Sequence, residues 1–391
     1  MSVRAPRSER LVVWALTLGA FAMALNAQVL AALLPFLEPA VAPDKAAKGT
    51  LASAAGLAGA LGAFLLGPSV DRVGRRPPML LGMAVFTAAS VLHCFATSFG
   101  VLLAARAVAG FAVGVAYTGA SAAVADVVPY ERLGAAMGVF NAGIFLATPI
   151  GLPLANQLAV LGHWRWIFAV QAGLGAVTAL VFARALPAGL GRSGRTTSQL
   201  VLLRQPMVLP TLAAVLLAAG GFFAFVQFVG QWLDDLAIVP RQRQAWLWVG
   251  LGLASAVGAV VLGRVTDRVG KRAFVLLSTG WLAVLLGLMT FVDSLGKLLA
   301  VGLPMTLVAA ARTSAFQALA AEIVPPAMRG TLMGARSAAV QLGQGAFLIL
   351  GGAVYEARGF GGFLSVSVVA VGLSYVLVRV FVRDRAGDRS E

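Results

Sequence analysis

The chain is written as apolar runs of about 20 residues broken by short polar or basic segments. As helix, a run of that length crosses the roughly 30 Å hydrocarbon core of a bilayer. Twelve runs are read: 11–34, 49–68, 79–97, 100–125, 133–156, 165–186, 208–232, 245–264, 273–292, 297–321, 331–354 and 361–382. The alternating segments of a membrane β-barrel are missing. The pattern predicts an all-α membrane protein of twelve transmembrane helices. The first run is longer than the 7–15 apolar residues or so of a signal peptide, so it reads as an uncleaved span. Small residues at helical spacing (Gly56, Gly59 and Gly62; Gly110 and Gly114; Gly258) predict close helix crossings.

The pattern is also duplicated. The stretch Gly67-Pro68-Ser69-Val70-Asp71-Arg72-Val73-Gly74-Arg75-Arg76 returns 196 residues later as Gly263-Arg264-Val265-Thr266-Asp267-Arg268-Val269-Gly270-Lys271-Arg272. At the same offset Asp126 maps to Glu322, Pro129 to Pro325, Gly134 to Gly330 and Met137 to Met333. This predicts two pseudo-symmetric six-helix bundles, residues 1–186 and 207–391, joined by the polar segment 187–206.

Composition changes the picture only where charge is placed. The chain is 60% hydrophobic and 12% charged, with a mean hydropathy of +0.90. Soluble domains carry roughly twice that share of charge. The net charge of +15 does not point to nucleic acid, because the basic residues sit in short loops between apolar runs. With both termini placed inside, 21 basic residues fall on the cytoplasmic side and 7 on the other. That bias predicts a multi-pass protein of the cytoplasmic membrane with both ends cytoplasmic. Cys94 is the only cysteine, and the two histidines have no carboxylate cluster beside them, so no metal site is expected.

Several motifs carry a family resemblance along essentially the whole chain. Gly67 to Arg76, and its second copy, resemble the loop signature G-x-x-x-D-R-x-G-R-R/K of the major facilitator superfamily. Leu102 to Gly110 resembles that family's fourth-span motif. His163-Trp164-Arg165-Trp166-Ile167-Phe168 is similar to the entry to span 6 in its twelve-span drug:proton antiporter branch. Asn26 stands where the antiporters' first-span motif carries Asp. The resemblance implies the major facilitator fold and alternating access around a central cavity.

It also implies a gating latch. Asp71 would sit against the start of span 11, with Arg75 bridging to Asp126. Asp267, Lys271 and Glu322 form the symmetric set, Arg72, Arg76 and Arg268 complete the two loops, and Arg336 lies close enough along span 11 to reach Asp71. For the substrate cavity the resemblance points to spans 1, 4, 7 and 10. Arg106 is the sharpest candidate, since a charge at membrane depth costs about 2.5–3.5 kcal/mol on insertion scales and needs a partner or a cavity. It shares a helix face with Tyr117. Asn26, Asn141, Phe145, Phe223, Gln227, Gln231, Arg312 and Thr313 are further cavity candidates. Two readings of Arg106 stand side by side: an anion-binding or proton-tuning group, and a residue tied to a neighbouring helix. All fifteen acids fall at span ends, in loops or in tails, which leaves Glu38, Asp234 and Asp235 as candidates for proton coupling.

The sequence has no phosphate-binding loop of the Gly-x-x-x-x-Gly-Lys-Ser/Thr type, so an ion gradient, in the first place protons, is the expected energy source and no bound cofactor is expected. Three functions remain open: proton-coupled efflux of a drug or metabolite, an organic-anion carrier using Arg106, and a non-transporting sensor or scaffold. The expected partners are a small-molecule substrate and the bilayer, with the monomer as working unit and no enzymatic activity.

Overall fold

Twelve helices are long and apolar enough to cross a membrane in the computed structural model, which describes residues 7–33, 36–37, 45–191, 199–235 and 241–383. They are α1 (Arg7–Leu33), α2 (Lys45–Val73), α3 (Arg76–Cys94), α4 (Phe99–Val127), α5 (Leu133–Val160), α6 (Trp166–Ala185), α8 (Val208–Asp235), α9 (Arg241–Val269), α10 (Lys271–Leu288), α11 (Leu295–Ala320) and the long α12 (Arg329–Phe381), which breaks at Gly359 and supplies the last two spans. A short helix, α7 (Gln199–Leu203), lies in the joining segment. Each span matches an apolar run of the sequence, usually with one more turn at the ends.

The surface is apolar. Leu81, Leu277, Trp281 and Ile349 are exposed around the outside of the bundle, while Asp71, Arg75 and Arg106 are buried. This inversion suits lipid contact. Within the first half, α2 packs on α4, α3 on α4 and α6, and α1 on α5; in the second, α8 packs on α12 and α11 on α9. The predicted small-residue crossings are present: a Cβ on Gly62 would stand 2.5 Å from the Phe111 carbonyl oxygen, and one on Gly258 2.6 Å from that of Leu307. The main crossings between the halves are α5 on α9 and α2 on α12, with smaller ones of α5 on α11 and α4 on α12.

The repeated loop has a backbone reason. Gly74 and Gly270 both take φ of 94°, a value that side chains rarely adopt, and so turn the chain between α2 and α3 and between α9 and α10. The start of α1 reaches the α4–α5 turn through Glu9 and Arg132, 2.9 Å apart. The end of α12 meets the start of α10, where Arg272 Nη2 donates to the Arg379 carbonyl at 2.8 Å. Both ends of the described chain therefore lie at the end of the bundle that carries the two repeated loops, called the latch end below.

Candidate functional site

At the latch end, each repeated aspartate sits on the N-terminus of a helix from the other half. Asp71 Oδ1 accepts from the Gly330 amide at 2.8 Å, and Oδ2 from the Thr331 amide and hydroxyl, both at 2.7 Å. The first amides of a helix have no partner inside it, and the helix dipole favours an anion there. Arg75 then answers the charge, with Nη1 on Asp71 at 2.5 Å and Nε on Asp126 at 2.8 Å. Asp126 also receives Arg329 at 3.1 Å from the other half. The segment after α6 closes over this pair: the Leu190 carbonyl accepts from the Arg75 amide at 2.9 Å.

The second copy repeats the plan with fewer bonds. Asp267 accepts from the amides of Gly134 and Ala135 at 2.7 and 2.8 Å. Lys271 donates to the Tyr130 carbonyl at 2.9 Å and lies 3.6 Å from Glu322. Asp71 is wholly buried, whereas Asp267 is only half-buried.

Four expected latch residues are placed elsewhere. Arg72 and Arg268 are exposed on the far side of their turns. Arg76 stays within its own half, with Nη2 on the Ala183 carbonyl at 2.6 Å. Arg336 is turned to Tyr117 of α4 instead of Asp71, because it lies about two turns into α12 while Asp71 caps that helix's first residues. Sequence reasoning missed Arg329 and Thr331. The equivalence of Gly134 and Gly330 was the available signal, since both mark the helix start that an aspartate caps.

Deeper in, a polar layer joins the halves. Asn141 of α5 donates to Ser314 at 3.2 Å and Gln317 at 3.1 Å of α11, and Tyr117 stands in polar contact with Gln317 and Arg336. Asn141 is thus taken up by a contact between the halves. Gln317 continues the face of Thr313 by one turn, a step the helical period allowed. Thr313 itself returns its hydroxyl to the Ala309 carbonyl at 2.9 Å. Phe145 and Phe223 are half-buried. Glu38 lies outside the described residues, as do the side chains of Gln227, Gln231, Asp234 and Asp235.

Arg106 is engaged through one nitrogen: Nη1 donates to the backbone oxygen of Asn26 at 2.9 Å and to its Oδ1 at 3.0 Å, while its Nε is buried and unpartnered. It ties α4 to α1 inside the first half. A hydrogen bond to a charged group contributes about 1.5–3 kcal/mol. Asn26→Ala keeps the backbone acceptor and loses the other, so a lowered melting temperature is expected in detergent, with about 1.5 kcal/mol lost. An unchanged melting temperature would show the side-chain bond to be dispensable.

The sequence of this chain matches the model of the Major Facilitator Superfamily over residues 16–239 and 235–391. Among curated proteins, it is 28% identical to the inner membrane transport protein YdhP of Escherichia coli K12, over 65% of this chain and 66% of that one. It is 26% identical to the uncharacterized MFS-type transporter YtbD of Bacillus subtilis, over 65% of each chain. A probable sugar efflux transporter of Helicobacter acinonychis is 26% identical over 55% of this chain and 54% of its own. The chain thus spans about two thirds or less of the length of these three relatives. Among solved structures, the human organic anion transporter MFSD10 (TETRAN) superposes with a TM-score of 0.81 at 21% identity, covering 96% of this chain and all of that one. That likeness concerns the fold. A family match that runs through both repeats, on twelve membrane-length helices whose paired loops bond one half to the other, shows that this chain belongs to the Major Facilitator Superfamily.

Proposed function

We propose that the protein exports a small organic solute across the cytoplasmic membrane by alternating access, driven by the proton gradient, with the latch end facing the cytoplasm and the monomer as working unit. The observation that carries this reading is the chemistry of the latch. What joins the halves there includes the ion pair of Arg329 with Asp126 and the capped helix ends, which water can replace when they part, so closure is reversible. A static scaffold has no need of such contacts in two copies. Export is supported by the efflux names among the relatives, and the orientation by the basic loops at the latch end.

The organic-anion reading built on Arg106 is weaker with that residue bonded to Asn26. The test is transport by purified protein in liposomes under an imposed pH gradient, across sugars, neutral drugs, lipophilic cations and organic anions. Accumulation that a protonophore abolishes is the expected result. Solute movement indifferent to the pH gradient would remove proton coupling. Latch variants moving solute at the full rate would remove alternating access.

A further inference from the structure

Six charged side chains are buried among the described residues: Asp71, Arg75, Lys271, Arg106, Arg312 and Arg336. The first three are paired at the latch end within their own halves, Asp71 with Arg75, Arg75 with Asp126 and Lys271 with Glu322. Arg106 is held by Asn26, and Arg336 stands against Tyr117. Arg312 differs. It is 6% exposed, and among the described residues it has no hydrogen bond or ion pair; its Nε is buried and unpartnered, as are those of Arg106 and Arg336. The charge that acts on it is that of Arg336, another cation. Among the described residues neither arginine makes an ion pair with a carboxylate.

This arrangement is costly as it stands. Like charges repel more strongly where water is excluded, and a buried cation without an anion is penalised by desolvation. Their placement is informative. Arg312 lies eight residues before the end of α11, about 12 Å from the latch end, and Arg336 seven residues into α12, about 10 Å in. They lie near the level of Tyr117 and Asn141, where the two halves meet, with Gln317 about 7.5 Å closer to the latch end.

We propose that Arg312 and Arg336 form a binding site for an anionic group, a carboxylate, sulfonate or phosphate, with the Tyr117 hydroxyl as a donor from the opposite half. Resting on the transporter reading above, this names the cargo as carrying such a group. Guanidinium suits the task, because its planar fork meets two oxygens of one anion and is weakly hydrated. An anion there relieves the repulsion within the second half and touches the first through Tyr117, so occupancy is felt where the halves part.

The test is a thermal-shift and calorimetric titration of the full-length protein with benzoate, benzenesulfonate, neutral benzamide, tetraphenylphosphonium, chloride and inorganic phosphate. Benzoate and benzenesulfonate are expected to stabilise the protein while benzamide and the phosphonium do not. In Arg312→Gln or Arg336→Gln their affinity is expected to fall about tenfold or more. Chloride or phosphate binding without the aryl anions would keep the site and assign it to an inorganic ion. Equal binding of benzamide and benzoate, or full benzoate affinity in Arg312→Gln, would overturn it. If the glutamine variants do not purify as one species, Arg312→Lys replaces them: the charge stays and the fork is lost, so unchanged benzoate affinity overturns the site equally. Gradient-driven movement of neutral solutes with no anion binding overturns the site and leaves the transporter reading. Anion binding without movement of any solute does the reverse.

Discussion

Asp71→Asn is expected to slow solute movement in liposomes at least about tenfold and to shift the protein toward states with the latch end open. The carboxylate is wholly buried and meets two amides, one hydroxyl and Arg75. Only the bonds to Gly330 and Thr331 cross between the halves, since Arg75 lies one turn from Asp71 on the same side. A hydrogen bond to a charged group is worth about 1.5–3 kcal/mol, asparagine keeps one acceptor oxygen, and about 1.5 kcal/mol is roughly tenfold in the equilibrium between states. Two readouts check this: the transport rate, and labelling of a cysteine placed at Val128, buried beside the latch, with Cys94 replaced by Ser. Asp267→Asn is expected to act in the same direction and less strongly, because Asp267 is half-buried and caps two amides without a hydroxyl donor. Equal effects of the two substitutions would mean that the repeated loops share the load despite their unequal bonding. Normal transport by Asp71→Asn would remove the latch.

The second large effect is expected at the glycines where the halves cross. A Cβ on Gly138 would fall on the Ala259 carbonyl oxygen of α9, and one on Gly334 on the Ala63 carbonyl oxygen of α2. Backbone cannot swing aside as a flexible side chain can. Gly138→Leu or Gly334→Leu therefore forbids the closed latch end while leaving the packing inside each half intact. Folded protein at near wild-type yield is expected, with transport lost and the Val128 position labelled throughout. Gly114 is the control. Its Cβ would strike the Gly59 backbone of α2, within the same half, so Gly114→Leu is expected to cost folded protein. Transport retained in Gly138→Leu would show that the α5–α9 crossing is not closed during the cycle.

These two results depend on different information. The Asp-Arg-x-Gly loop was legible because it occurs twice, and a duplicated turn with φ of 94° at Gly74 and Gly270 needs glycine in both copies. Its partners were less legible. Gly330 and Thr331 bind Asp71 through backbone amides, which carry no residue signature. Tyr117 and Asn141 were read as cavity residues from helix faces, and their partners Gln317 and Ser314 lie more than 170 residues away along the chain.

The number of spans, their all-helical character, the twofold repeat and the chemistry of its loops can all be read along the chain. These follow from run length, local periodicity and backbone sterics, which are properties of neighbouring residues. Which buried charges are answered depends instead on how the helices pack. Arg106, Arg312 and Arg336 look alike in the sequence, each a lone cation in or near an apolar run. Asn26 engages the first, Tyr117 faces the third, and the second is left without a partner among the described residues. That difference turns on the rotation of one helix against another, and a rotation of about 100° per residue means a single step along α11 sends a side chain toward a different neighbour.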